Sequence, residues 1–540
     1  MIRFLIKKLR ALLKRQMRDI ALYQDTHPTT PVPTAVATPV LTPVQEPSEE
    51  ELEADIPSPK AIGVDAADAP AKEEVADSPV SVAGAFVPMQ AFNPNVVITR
   101  VPPSPTGSLH VGTARTMLFN YLFARQNGGK LYLRMEDTDK ERSKIEHEAD
   151  IIEGLQWLGL TWDNSDTIYR QSEQTERYRE ALEYLIATGT AYVSKEAAEE
   201  GKRAEVIRFK NPNKVVTFTD IIRGDISFDT TELGDFVIAK SLDEPLYHLA
   251  VVVDDIDMAI THIIRGEDHI SNTPRQILIQ EALGAPRPQY AHVPLLLGED
   301  KAKLSKRKGA KSIDQFKAEG YLPQAVLNFL ALLGWNPGDD RELFSLEELI
   351  TAFSLENVQK GGAVFSETKL RWFNHEYLKL LTPEAQKELL NSIKAALEAH
   401  GAPKALARSL TPLVSERIDI LSDVTKLLES GELQYFFEAP TYDVNGLLWK
   451  KAESLAEMKT HLSAVRDMIA PLETWTLEQI KAVVWDYAGE HGRGNVLWPF
   501  RFALSGREQS PDPFEIAEIL GKEETLARID TAVARINEHA

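Results

Sequence analysis

The sequence predicts an α/β, Rossmann-like nucleotide-binding body with an insertion, followed by an all-α region, and three observations carry that expectation. A β-branched run, Asn95-Val96-Val97-Ile98-Thr99-Arg100, stops at a proline-rich turn and gives way to a helical pattern. A lysine-rich segment, Lys301 to Lys311, follows far downstream. Beyond Leu380 nearly every segment has a helical period and no convincing strand run appears. With 540 residues, 43% of them hydrophobic, the chain can bury several cores, so more than one domain is expected.

Composition excludes some chemistry at once. There is no cysteine, which removes disulfides, thiolate zinc sites and cysteine nucleophiles, and fits a reducing compartment. The net charge of -21 does not exclude a nucleic-acid partner, because binding depends on local basic patches and not on the sum. No apolar run approaches the ~20 residues that a membrane-spanning helix needs. A soluble chain is expected.

Residues 1–92 read differently from the rest. Ile2, Leu5, Ile6, Leu9, Leu12, Leu13, Met17 and Ile20 form an apolar helical face, and Arg3, Lys7, Lys8, Arg10, Lys14, Arg15 and Arg18 supply charge. Three readings of residues 1–23 stand: an arm for a membrane surface or RNA, an organelle-targeting peptide, or a helix without a role. From His27 to about Asn95 proline, alanine, valine and glutamate alternate without periodicity, the composition of a disordered linker.

The strand ending at Arg100 meets Val101-Pro102-Pro103-Ser104-Pro105-Thr106-Gly107-Ser108-Leu109-His110-Val111-Gly112-Thr113. Ala114, Met117, Leu118, Tyr121 and Leu122 then recur at helical spacing, so a helix begins near Thr113 and stops at Asn127-Gly128-Gly129. A strand, a tight loop and a helix N-terminus make an anion site, with unpaired N–H groups and the positive end of the helix dipole facing the ligand. Gly112 would let a ligand approach, and His110 would donate to a phosphate. Taken alone, His-x-Gly reads as a structural turn with a satisfied histidine.

A second strand, Lys130-Leu131-Tyr132-Leu133-Arg134-Met135, ends in Glu136-Asp137-Thr138-Asp139, and ligands of open α/β sheets gather at such ends. An insertion is expected from about Arg177 to Glu244, with a helix and short strands at Val215–Phe218 and Ile226–Phe228. Tyr247-His248-Leu249-Ala250-Val251-Val252-Val253-Asp254-Asp255 reads as a buried strand, and Ile260 to Asp268 as another ending in charge. The segment Lys301 to Lys311 holds six basic residues in eleven. It reads as a solvated loop, or as a mobile loop that neutralises a triphosphate as pyrophosphate leaves.

Pro103 to Thr113 resembles the HIGH motif of class I aminoacyl-tRNA synthetases in its glutamyl form, and Lys303-Leu304-Ser305-Lys306-Arg307 resembles their KMSKS motif. Both in this order and at this separation make a strong signal. The resemblance to the glutamyl-tRNA synthetase family covers residues 95 to 540, and residues 1–92 have no counterpart in it. The resemblance implies that Arg100, Ser104, Glu136, Tyr247 and Arg265 hold the amino acid. The two arginines would take carboxylates, while Ser104 and Glu136 would receive the ammonium. It implies His110, Gly112, Thr113 and Lys306 for ATP, with His110, Lys303 and Lys306 catalytic. Some members carry an asparagine where this chain has Val251.

Catalysis would be positioning plus charge stabilisation. An α-carboxylate oxygen attacks the α-phosphorus of ATP, pyrophosphate leaves, and the adenylate gives its acyl group to a ribose hydroxyl of tRNA. Magnesium is expected with the ATP, and no zinc: some relatives build a zinc site from cysteines in the insertion. By resemblance the insertion (about 177–245) of the catalytic domain (93–298) grips the acceptor end. Residues 299–380 contact the tRNA stem, and residues 381–540 read the anticodon, with Arg417 a candidate contact. Glutaminyl enzymes place β-barrels after the core, whereas this helical tail resembles the bacterial-type glutamyl enzyme. The expected partners are L-glutamate and tRNA(Glu), with tRNA(Gln) as a further substrate left open. A cytoplasmic monomer is expected, or an organellar one if residues 1–23 are a targeting peptide. Three rivals stand beside this: a core-only relative that glutamylates a tRNA base, a catalytically dead RNA-binding protein, and a generic nucleotidyltransferase.

Overall fold

The β-branched run folds as β1 (Ile98–Val101), buried along its whole length. The computed structural model describes residues 85–139, 142–195, 205–304 and 311–539. Residues 1–23 and Lys306 lie outside them. Helix α1 (Val111–Gln126) crosses over to β2 (Lys130–Met135), which pairs parallel to β1 with Ile98 opposite Lys130 and Val101 opposite Leu133. Helix α2 (Ile145–Trp157) then leads to β3 (Tyr169–Arg170), parallel to β2. Parallel pairing demands such crossovers, and they place both loop ends at the C-terminal edge of the sheet.

The insertion opens with α3 (Thr175–Ala187). It continues as an antiparallel sheet of β4 (Ala191–Lys195), β5 (Glu205–Phe209), β8 (Phe236–Ser241) and β9 (Glu244–Pro245). The hairpin of β6 (Val215–Asp220) and β7 (Gly224–Asp229) leaves that sheet and extends the one that holds β10 (His262–Gly266) and β11 (Gln289–Val293).

The second half supplies α4 (Tyr247–Asp257), β10 (His262–Gly266), α5 (Thr273–Ala282) and β11 (Gln289–Val293). β10 and β11 are parallel, and Asp220 of β6 bridges Tyr290 of β11. Thr261 N donates to Ile98 O at 3.0 Å, which brings β10 alongside β1 and joins the two halves.

One predicted strand is a helix. Tyr247–Asp257 is helical, and every residue from Leu249 to Asp257 is buried. A segment covered on all sides shows neither a strand nor a helix period, so its β-branched valines pointed the wrong way. The packed chain also starts before residue 93. Phe86 is buried under the Arg177 guanidinium, 4.1 Å from the ring centre, and Met89 N donates to Asp257 Oδ1 at 3.1 Å.

The short strands β12 (Leu296–Leu297) and β13 (Ala363–Val364) and helices α6 (Ile313–Glu319), α7 (Pro323–Leu332), α8 (Leu346–Ala352) and α9 (Glu367–Lys379) follow. Their Phe316, Phe329 and Phe373 share one core with Met117 and Leu118 of α1, so the described residues from 311 to 380 are packed into the body built on β1 and α1. A second core joins α3, the insertion, α4 and α5. The tail, from α10 (Pro383–Ala399) to α17 (Lys522–His539), holds a third core and no strand among the described residues.

Candidate active site

The site grows from the end of β1. Three prolines prevent the strand from continuing, and the chain turns through Ser104 and Thr106 into α1, whose N-cap is His110. His110 Nδ1 accepts from Gly112 N at 3.2 Å, and its Nε2 lies 3.2 Å from Thr113 Oγ1. Gly112 has a packing reason here: a Cβ would stand 3.2 Å from His110 Cε1, so its absence lets the ring fold over the helix end.

The lysine-rich segment returns to the same place. Leu304 N donates to Leu296 O at 2.8 Å, and Ile313 N to Leu109 O at 2.8 Å. His110 and Ser312 form a backbone bridge. Lys303 Nζ reaches Asp268 Oδ2 at 3.0 Å. The upstream flank of residues 305–310, Lys303 and Leu304, borders a cavity of about 640 Å³ that His110 also lines, and the downstream flank is tied to that turn through Ser312 and Ile313.

That cavity brings together Arg100, Ser104, His110, Gly112, Thr113, Glu136, Tyr247, Arg265 and Lys303. Val251 lines it from helix α4. Arg417 does not belong to it, being exposed beyond α11 (Lys404–Ser415).

Beneath the floor lies a charge network that sequence reasoning missed. Asp255 Oδ1 accepts from Arg100 Nε at 3.2 Å and from Arg134 Nη1 at 2.6 Å. Arg134 Nη2 also donates to Glu136 Oε1 at 3.1 Å. Burial pushes the Asp255 carboxyl up, but the two guanidinium groups outweigh it and hold it below the usual range. Burial raises Glu136, and Arg134 opposes that rise only in part. Asp254 is pushed up to about 6 by burial, against Arg134 and hydrogen bonds from Gln171, Tyr178 and Tyr169. Arg100 Nη1 is buried with no hydrogen-bond partner, a donor held ready for an anion. The signal was present: Arg134 interrupts an apolar strand, and a buried arginine needs partners elsewhere in the chain.

Tyr247 Oη lies 3.1 Å from His269 Nδ1, and burial, reinforced by Arg265, lowers the His269 pKa to about 4. Asn272 Nδ2, an amide donor, lies 3.2 Å from the same Nδ1, so the neutral imidazole accepts there from the amide N–H and from the phenol O–H. His269 was also missed, since a histidine in a short turn carries no pattern.

The catalytic-domain model of class I tRNA synthetases (E and Q) matches residues 96–205 and 195–372, and an anticodon binding domain model matches residues 376–533. The chain is 39% identical over 481 residues to glutamate–tRNA ligase 1 of Caldanaerobacter subterraneus subsp. tengcongensis, covering 82% of this chain and 98% of that protein. The chain belongs to the glutamate–tRNA ligase family. Solved relatives agree. A glutamate–tRNA ligase from Elizabethkingia meningosepticum, crystallised with its amino acid, is 32% identical with a TM-score of 0.71, covering 82% of this chain and 99% of that one. The Elizabethkingia anophelis enzyme has the same identity and TM-score, covering 81% and 100%. For a glutamate–tRNA ligase, a class I fold with a helical tail is the expected architecture, and the class implies use of ATP.

Proposed function

We propose that this chain activates L-glutamate with ATP and transfers it to the 3′ end of tRNA(Glu). One observation supports this above the others: His110 and Lys303 border the same cavity as the unpartnered Arg100 Nη1 and the buried Arg265. The nucleotide lies against the α1 N-terminus, where Gly112 and Thr113 offer backbone N–H groups to phosphate. His110, Lys303 and Lys306 stabilise charge on the triphosphate as pyrophosphate departs. Arg100 and Arg265 take the two carboxylates of glutamate, Tyr247 borders it, and Ser104 and Glu136 receive its ammonium. No group of three or more histidine or acidic side chains among the described residues is arranged for a metal. Magnesium, where bound with the triphosphate, would supply neutralisation of phosphate charge there, beside His110 and Lys303. The insertion handles the acceptor end without a cysteine-built zinc site.

In this reading residues 299–380 meet the tRNA stem and residues 381–540 the anticodon, with Arg417 on the exposed face of that tail. The protein acts as a cytoplasmic monomer. No described helix is long and apolar enough to cross a membrane. Residues 1–23 add a basic arm for RNA or a membrane surface. The test is charging of purified tRNA(Glu) and tRNA(Gln) with glutamate and with glutamine. Charging of tRNA(Glu) with glutamate is expected; its absence sinks the proposal, and charging of tRNA(Gln) with glutamate would widen it.

A further inference from the structure

Arg265, the last residue but one of β10, has its guanidinium buried at the cavity wall. Its Nε donates to His292 Nε2 at 3.1 Å, Nη1 to Gln276 Oε1 at 2.7 Å and Nη2 to Thr273 Oγ1 at 2.8 Å. None of these partners is a carboxylate. Arg100, by contrast, shares an ion pair with Asp255 at 3.2 Å. The positive charge of Arg265 is therefore fixed in direction yet left unneutralised by the groups it touches.

A carboxylate does stand behind it, one imidazole away. Asp220 Oδ2 lies 2.7 Å from His292 Nδ1 and also accepts from His292 N at 3.0 Å. Asp220 Oδ1 accepts from Ile222 N at 3.0 Å and Arg223 N at 2.9 Å. Both side chains are 0% exposed, so no water competes. An ionised carboxylate only accepts, so Nδ1 must carry the imidazole proton. In a neutral ring Nε2 is then a lone pair, the one state that can accept from Arg265 Nε–H.

We infer that Asp220 and His292 are positioning residues for Arg265: the carboxylate fixes the imidazole tautomer, and the imidazole fixes the guanidinium so that its whole charge serves the side-chain carboxylate of the substrate. This rests on the reading of Arg265 as a carboxylate-binding group. A carboxylate set directly on Arg265 would cancel its charge and compete with glutamate. An imidazole relay gives orientation without cancellation, which favours glutamate over the neutral glutamine. Asp220 closes β6, a strand of the insertion, and is in register with Tyr290 of β11. The insertion thus contributes to the amino-acid pocket as well as to the sheet.

The test uses the full chain with ATP, tRNA(Glu), and glutamate or glutamine. A wild type that does not charge tRNA(Glu) with glutamate overturns the functional reading before any variant is made. With an active wild type, His292→Gln and His292→Asn separate the two ends of the relay. Glutamine sets an amide oxygen where Nε2 accepts, whereas asparagine reaches only the Asp220 side and leaves Arg265 Nε without an acceptor. His292→Asn should raise KM for glutamate roughly 10- to 100-fold, with kcat within about threefold. His292→Gln should stay within about fivefold of wild type, KM for ATP should stay unchanged in both, and the preference for glutamate over glutamine should shrink only in the asparagine variant. Asp220→Asn should behave as His292→Asn, because an amide nitrogen facing Nδ1 forces the other tautomer. If Asp220→Asn does not fold, the glutamine and asparagine pair decides alone. Equal KM values in that pair, or KM for ATP rising in step with KM for glutamate, overturn the inference.

Discussion

His110 and Ser312 form an antiparallel backbone bridge. The bond from Ile313 N to Leu109 O, 2.8 Å long, extends the same contact. Backbone, and not a pair of mobile side chains, thus joins the strand-to-helix turn to the exit of the lysine-rich segment. Chemistry that needs both has its geometry set before any ligand arrives.

His110 does two jobs that substitution can separate. It caps α1 through Gly112 N, and it faces the cavity. His110→Ala should lose about 1 kcal/mol of stability with the cap. It should also lower kcat by a factor of about 10² to 10³. Asparagine is a good N-cap, so His110→Asn should melt near wild type while kcat remains low. Steady-state charging kinetics beside thermal melts would check this. A variant that changes only KM would defeat the catalytic role.

The Lys303–Asp268 pair is open to solvent, with side chains 57% and 45% exposed. Such pairs are worth about 0 to 1 kcal/mol, so a triphosphate can draw the lysine away at little cost. Lys303→Ala and Lys306→Ala should each slow the chemical step, seen as a fall in single-turnover rate, while urea midpoints barely move. A large loss of stability in Lys303→Ala would show that the pair is structural.

Arg134 is fully buried and touches three carboxylates, Glu136, Asp254 and Asp255. Arg134→Met would leave Glu136 and Asp254 without their ion-pair partner and Asp255 with Arg100 alone. Breaking a buried ion network in this way costs about 3 to 5 kcal/mol. Chemical denaturation should show that loss. Arg134→Lys should restore only part of it, since one ammonium cannot fork to several carboxylates. Stability unchanged in Arg134→Met would mean the acids are protonated in the fold.

Truncation should reveal where the folded body begins. Residues 1–84 lie outside the described part, whereas Phe86 packs under Arg177 and Met89 bonds Asp257. Deleting residues 1–84 should leave melting temperature and charging unchanged. Deleting residues 1–92 should cost about 1.5 to 3 kcal/mol for the lost Phe burial. Two truncations that melt alike would show that Phe86 adds nothing.

What the sequence made legible was whatever carries its own local signature. The turn from Arg100 to Thr113, the alternating strand Lys130–Met135 and the helical tail each declare themselves through proline punctuation or period. The segment Tyr247–Asp257 did not, because burial on every side erases the period that separates helix from strand. Candidate site residues that line one cavity could be named because they cluster beside motifs. Their supports could not: Arg134 with Asp255, and Arg265 with His292 and Asp220, meet only through the sheet order. Sequence spacing carries no trace of such pairings. The boundary near residue 93 failed for a related reason, since one phenylalanine in a proline-rich stretch makes no pattern until α3 is packed against it.

Acid should destabilise the fold through two half-buried histidines, His248 and His269. Burial, with Arg275 and Arg265 adding to it, lowers His248 to about 4, and burial with Arg265 lowers His269 to about 4. Both start from 6.5 in the unfolded chain. Between pH 6.5 and 4 the unfolded chain therefore binds more protons than the native one, so stability falls as pH falls through that window. Asp254 acts the other way. Its carboxyl is raised from 3.8 to about 6 by burial, so the native state holds a proton that the unfolded chain has lost, and acid favours folding there. Glu136, also raised by burial, shares the sign of Asp254, but His262 and His292, both lowered by burial, add to the two histidines, and the net slope keeps the histidine sign. His248 is the cleaner site to test, because its buried Nδ1 has no hydrogen-bond partner and its ring packs edge-on against Phe236. His248→Phe should keep that packing and flatten the dependence of melting temperature on pH between 6.5 and 4. An unchanged slope would show that His248 is not kept neutral by the fold and that the acid sensitivity has another source.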